Sequence, residues 1–168
     1  MILAIDTATR WLGVAIHDGT AVLAESGWRC LNNHTTELAD AIQALMARAK
    51  MEPNDLTGIA VAIGPGSYTG LRVGLAMAKG FALVHQIPLL AVSTLDVVAI
   101  QVPPTEGRLI AIAEAGRTRV CMAEYEWLIE KGWQPSGDPD IKTWQTILTE
   151  TSGPTLFAGE ISEKTAVQ

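Results

Sequence analysis

AVAIGPGSYTGLRVGLAMAKGFAL, residues 60–83, joins an apolar strand to a long apolar helix through a glycine-rich turn, and the rest of the chain is read outward from that junction. Gly58 to Ile63 is a continuous apolar run of the kind buried on both faces of a parallel sheet. The turn Gly64 to Gly70 offers backbone amides at a helix N-terminus, where Ser67 or Thr69 can cap the helix predicted over Thr69 to Val84. Two sharper readings of this turn fail. A Walker A loop ends in Gly-Lys-Ser/Thr, and here Gly70 is followed by Leu71-Arg72. A dinucleotide fingerprint needs a third glycine where Thr69 stands and an acidic residue about 20 positions later, yet no Asp or Glu occurs between Asp55 and Asp96. The glycines serve either an anion cradle or a tight turn with close helix approach. The helix itself is apolar nearly all round, with Gly70, Gly74, Ala78 and Ala82 at four-residue spacing among Leu71, Val73, Leu75 and Met77. Such a helix must be covered on every face, by its own lobe or by a partner.

Upstream, Ile2 to Ile5, Leu12 to His17 and Ala21 to Trp28 read as three strands, the last two joined by the hairpin signal Asp18-Gly19. HTTELADAIQALMARAK, residues 34–50, follows as an amphipathic helix with Leu38, Ile42, Leu45 and Ala49 at helical spacing. Downstream, Ile87 to Val92 is a buried strand, and Ser93 with Asp96 resembles a capping box opening a short helix that stops before Pro103-Pro104. Strand, strand, strand, helix, strand, helix, strand, helix is the ribonuclease-H-like order. The expectation is therefore a first lobe over residues 1–102, a linker at 103–107 and a partial second lobe over 108–168. In that second lobe, Leu109 to Glu114 and Arg119 to Glu126 read as strands, Thr143 to Glu150 as a helix and Thr155 to Ala158 as a strand, a divergent and incomplete repeat of the first.

Composition narrows the function. The 168 residues are 48% hydrophobic and 18% charged, enough for a real core, and the formal net charge is -6. Basic residues are scattered from Arg10 to Lys164 without a cluster, which argues against direct, phosphate-driven nucleic-acid binding. Cys30 and Cys121 lack the spacing of a zinc site or redox pair and read as small buried hydrophobes. The opening MILAIDTATR does not resemble a secretory signal, and the most apolar helix falls short of the roughly 20 residues of a bilayer span. A cytoplasmic protein with no membrane segment is expected.

The chemistry-bearing positions are few. Asp6 ends the first strand in the turn IDTAT, residues 5–9, where an acidic residue and Thr7 can face a hydrated magnesium ion and nucleotide phosphates, or where Asp6 can close an Asx turn on its own backbone. With Gly64, Gly66 and Ser67 of the glycine-rich turn, these are the candidate cofactor-binding residues. His34 opens the first helix, but a ligand pair at i, i+4 would need a second ligand where Leu38 stands, so no metal site is expected. No nucleophile–base or paired-carboxylate arrangement emerges.

ILAIDTAT at the start, NHTTELADAI in the first helix, AVAIGPGSYTGLRVGLAMAKGFAL in the centre and PLLAVSTLDVVA after it resemble the TsaB family, also called YeaZ, a sister of TsaD. The resemblance is close over residues 1–102 and looser beyond. It implies a two-lobed actin-like ATPase fold and a non-catalytic subunit that binds TsaD, and through it TsaE, in threonylcarbamoylation of the adenosine adjoining the tRNA anticodon. It also implies a homodimer through the same first-lobe surface, contact with tRNA only through partners, and no required cofactor, with ATP or ADP admitted at a complex interface. TsaD's metal-binding helix carries two histidines four apart; the matching positions here are His34 and Leu38. Helical placement maps the partner surface onto His34, Leu38, Ile42, Met46, Arg72, Val73, Ala76 and Met77. The competing reading is a free-standing actin-like enzyme, a small-molecule kinase or a glycoprotease, for which the second lobe offers no further phosphate loop.

Overall fold

A computed structural model of the chain describes residues 1–30, 34–116 and 119–161, the side chains of residues 34 and 35 excepted. The chain divides into two compact units, Met1–Val92 and Ser93–Gln168.

In the first unit, β1 (Ile2–Asp6), β2 (Trp11–His17) and β3 (Val22–Arg29) form an antiparallel meander, and β4 (Gly58–Ala62) and β5 (Leu89–Val92) add to β1 in parallel. The sheet order β3-β2-β1-β4-β5 is the ribonuclease-H-like order of the actin-like ATPases that the element sequence predicts. Period-2 burial runs along β2, where Leu12, Val14 and Ile16 are buried. The β2–β3 turn is held by Asp18, whose carboxylate accepts from the Thr20 hydroxyl at 2.7 Å and from the Ala21 and Thr20 amides at 2.8 and 2.7 Å, bonds that, the hydroxyl's foremost, pull its pKa down to about 2. Two helices cover the sheet: α1 (His34–Ala49) over β2 and β3, α2 (Tyr68–His85) over β1 and β4. Leu38, Ile42, Leu45 and Met46 make the inner face of α1, and Glu37 accepts from the Trp28 indole at 2.7 Å.

In the second unit, β6 (Arg108–Glu114) is flanked by β7 (Arg119–Leu128) antiparallel and β10 (Thr155–Gly159) parallel, while β8 (Gly132–Pro135) and β9 (Asp140–Thr143) pair with successive parts of β7. The order β10-β6-β7-β8 repeats β4-β1-β2-β3 of the first unit, with the same parallel and antiparallel steps. No counterpart of β5 stands among the described residues. Five consecutive residues of β6, Leu109 to Ala113, are buried because helices cover both faces. Leu109, Ala111 and Ala113 meet Leu95 and Ala99 of α3 (Thr94–Ile100), and Ile110 and Ile112 meet Trp144 and Ile147 of α4 (Trp144–Glu150).

The unit boundary at Val92/Ser93 lies before α3, whereas the sequence reading puts that helix in the first lobe and the linker at 103–107. The apolar side of α3 is committed to β6, and two bonds seal it there. The Tyr125 hydroxyl donates to Asp96 at 2.7 Å, and the Trp133 indole donates to the Val102 carbonyl at 2.8 Å. Among the described residues, no helix is long and apolar enough to cross a membrane.

Candidate functional site

The end of β1 and the start of α2 meet in one place, and the sequence dictates how. Asp6 Oδ1 accepts from the Ala8 amide at 2.9 Å, which folds residues 6–8 into an Asx turn and turns the Thr7 side chain inward. Thr7 is fully buried, and its hydroxyl donates to the Gly70 carbonyl at 2.8 Å. From the other side the Ser67 amide donates to the Ala8 carbonyl at 2.6 Å, and Ser67 Oγ caps α2 by accepting from the Gly70 amide at 3.2 Å. The glycines make this approach feasible: a β-carbon at Gly66 would overlap the Ala8 carbonyl, one at Gly70 the Thr7 carbonyl, and one at Gly74 the Thr7 hydroxyl. Gly64 turns the chain at φ +108, a region that favours glycine.

Of the candidate residues, Asp6 and Thr7 stand in one turn and Gly66 and Ser67 in the other, with the Thr7 hydroxyl donating to the Gly70 carbonyl and the Ser67 amide to the Ala8 carbonyl, while Gly64 turns the chain just before them. The arrangement locks β1 to α2. Among the described residues no group of three or more His, Cys, Asp or Glu side chains is placed to hold a metal ion, and the His34 side chain lies outside the description.

Asp6 carries a cost of this lock. Burial raises its carboxyl pKa, partly offset by the Ala8 amide. The folded chain therefore holds this proton more tightly than the unfolded chain, so stability falls as pH rises through the carboxylate range and the loss is complete at neutral pH. Asp6→Asn keeps the acceptor for Ala8 and removes the charge. Urea midpoints should favour the variant near neutral pH, and the advantage should vanish below about pH 3, where both states are protonated.

The predicted partner surface divides in two. Leu38, Ile42 and Met46 are 0%, 2% and 6% exposed and belong to the core, so they cannot form an outer face. The amphipathic stripe of α1 points at β2 and β3 rather than at a partner. Likewise Gly70, Gly74 and Ala78 of the small-residue row are buried, and the two glycines face the β1 turn rather than a second chain's helix. The α2 half is different. Arg72 and Ala76 are exposed and Val73 and Met77 half-buried, and all four line a groove of about 610 Å3. A second groove of about 320 Å3 shares Ala76 and Met77 and continues past Gly80 and Phe81 to Val84. At one end the Arg72 guanidinium sits 5.2 Å from the Tyr68 ring centroid and donates to its hydroxyl at 3.3 Å. The charged groups of α2 are Arg72 and Lys79, with no acid among them. Sequence reasoning missed Tyr68, Phe81 and Val84. Stepping four residues either way from Arg72, Ala76 and Met77 finds Tyr68, Gly80 and Phe81 on the same side of the helix.

Comparison with known proteins places this architecture. The family model for TsaD, tRNA N6-adenosine threonylcarbamoyltransferase, matches residues 29–153. The tRNA threonylcarbamoyladenosine biosynthesis protein TsaB of Bacillus subtilis is 36% identical over 161 residues, spanning 94% of this chain and 70% of that protein. TsaB of Escherichia coli is 35% identical over 127 residues, 74% of this chain, and the match spans 54% of its own length. Among solved structures, YeaZ from Pseudomonas aeruginosa superposes with a TM-score of 0.81 at 25% identity, covering 94% of this chain and 74% of that one. These matches lead to one assignment: the chain belongs to the TsaB, or YeaZ, family.

Proposed function

We propose that the chain acts in tRNA threonylcarbamoyladenosine biosynthesis as a non-catalytic subunit that binds TsaD through the exposed face of α2 and reaches TsaE through TsaD. The observation that carries this reading is the apolar groove centred on Ala76 and Met77, open along a helix whose charged groups are all basic. Tyr68 and Val84, at its two ends, are 74% and 75% exposed, an extent of open apolar surface that marks a protein contact. A second copy of this chain would use the same face, so the homodimer and the TsaD complex exclude each other. The acidic balance of -6 leaves tRNA to be held by the partner. The role requires no nucleotide of this chain's own; ATP or ADP would sit at the complex interface. It places the protein in the cytoplasm with the tRNA it serves.

The test is a light-scattering titration of the chain with TsaD from the same organism, with Arg72→Glu/Ala76→Glu alongside. Both positions are exposed, so the fold is retained. Wild type is expected to pass from self-associated species to a one-to-one complex. The variant should bind at least about a hundredfold more weakly, because an introduced acid is desolvated and the guanidinium is lost. Failure of the wild type to bind TsaD, or full binding by the variant, overturns the assignment of this surface. Tight magnesium-dependent ATP binding with turnover by the isolated chain would support the enzyme reading instead.

A further inference from the structure

Lys79 follows Arg72 by seven residues, which puts both on one side of α2, about two turns and about 10 Å apart. Both side chains are exposed, and among the described residues neither enters an ion pair. Arg72 lines the α2 groove and rests against the Tyr68 ring, where it commits one donor to the Tyr68 hydroxyl. The rest of its planar fork is open to a carboxylate. The two grooves along α2 are lined by that helix alone, and no Asp or Glu lines either one. The apolar face centred on Ala76 and Met77 therefore has a basic rim and no acid to neutralise it.

That charge pattern discriminates between occupants. A second copy would meet this face with the same patch, because a two-fold contact is isologous. With the two helices antiparallel about Ala76, which both grooves share, Arg72 lies level with Gly80 and so beside Lys79 of the second copy, and the same meeting recurs across the axis. A homodimer thus buries apolar surface at the cost of two like-charge meetings. A partner whose apolar ridge is flanked by carboxylates buries the same surface and turns both cations into ion pairs. Given the TsaD role, on which this inference rests, we propose that Arg72 and Lys79 select an acid-bearing surface of TsaD over a second copy of this chain, with TsaD setting carboxylates about 10 Å apart opposite them.

The test is sedimentation velocity on the whole chain, alone and with TsaD from the same organism, at about 50 and about 500 mM NaCl, a range over which charge interactions are progressively screened. Raising the salt should weaken the TsaD complex about fivefold and tighten the homodimer about threefold. The net charge of -6 also sets two copies against each other, so the discriminating variant is Lys79→Glu, which makes the chain more acidic yet turns each Arg72–Lys79 meeting into an ion pair. At the lower salt it should tighten the homodimer about tenfold, since symmetry applies the change twice, and weaken the TsaD complex about fivefold. Lys79→Gln should fall between wild type and Lys79→Glu in both measurements. A gain of self-association is not the mark of a folding defect. A TsaD complex indifferent to both salt and Lys79→Glu, or a Lys79→Glu homodimer no tighter than wild type, overturns the inference and leaves the TsaD role standing. A wild type that binds TsaD at neither salt removes that role and the inference with it.

Discussion

Gly70→Ala is expected to destabilise the first unit by about 3 kcal/mol, at the upper end of the usual range for overpacking, because the added methyl meets backbone rather than a side chain that can turn away. The atom in the way is the Thr7 carbonyl, inside a turn whose Thr7 and Ala8 are both bonded to the start of α2. Relief would need α2 to move off β1, which breaks the Thr7–Gly70 and Ala8–Ser67 hydrogen bonds together. Gly80→Ala is the internal comparison. Gly80 lies on the same helix with nothing within 4 Å of its β-carbon position, so the substitution should stabilise by roughly 0.5–1 kcal/mol through helix propensity alone. Urea denaturation monitored by circular dichroism measures both. Opposite signs for two Gly→Ala changes on one helix are the expected signature; equal small effects would mean that the β1–α2 lock does not form.

Met46→Asp should cost about 4 kcal/mol or more, enough to unfold a unit of ordinary stability, because an unpaired carboxylate would replace a thioether that is 6% exposed among Leu38, Ile42 and Leu45. The consequence bears on how the partner surface is probed. Under the proposed role, a charge at Met46 would abolish TsaD binding by destroying the fold, and the loss would say nothing about the interface. Arg72→Glu/Ala76→Glu should leave the circular dichroism spectrum and urea midpoint near wild type while removing the complex. A Met46→Asp protein that stays folded would show that this part of α1 is more open than its packing implies.

The strand order was legible from the chain. The hairpin signal at Asp18-Gly19, the unbroken apolar runs at Gly58–Ile63 and Ile87–Val92, and the helix between them depend on nearest neighbours and on periods of 2 and 3.6 residues, which a sequence displays directly. The observed order β3-β2-β1-β4-β5 follows from them. Cys30 and Cys121 are buried, as cysteines outside any zinc or redox spacing and read as small hydrophobes should be.

What periodicity cannot show is direction. It identifies an apolar stripe on α1 but not whether the stripe serves the chain's own sheet or another protein. Leu38, Ile42 and Met46 were therefore assigned outward, and tertiary packing turns them in. The same ambiguity hid which sheet α3 serves, since only the meeting of Asp96 with Tyr125 and of Val102 with Trp133 assigns it to the second unit. The glycines of residues 64–74 were visible as a need for close approach, but the approaching group was not. It is the Thr7 turn, some sixty residues away in sequence, and only the fold decides that the Thr7 hydroxyl and the Ser67 amide bond the Gly70 and Ala8 carbonyls. Local chemistry and period were written in the sequence itself; which face meets which neighbour depended on contacts between residues far apart in the chain, and those exist only once the sheets have formed.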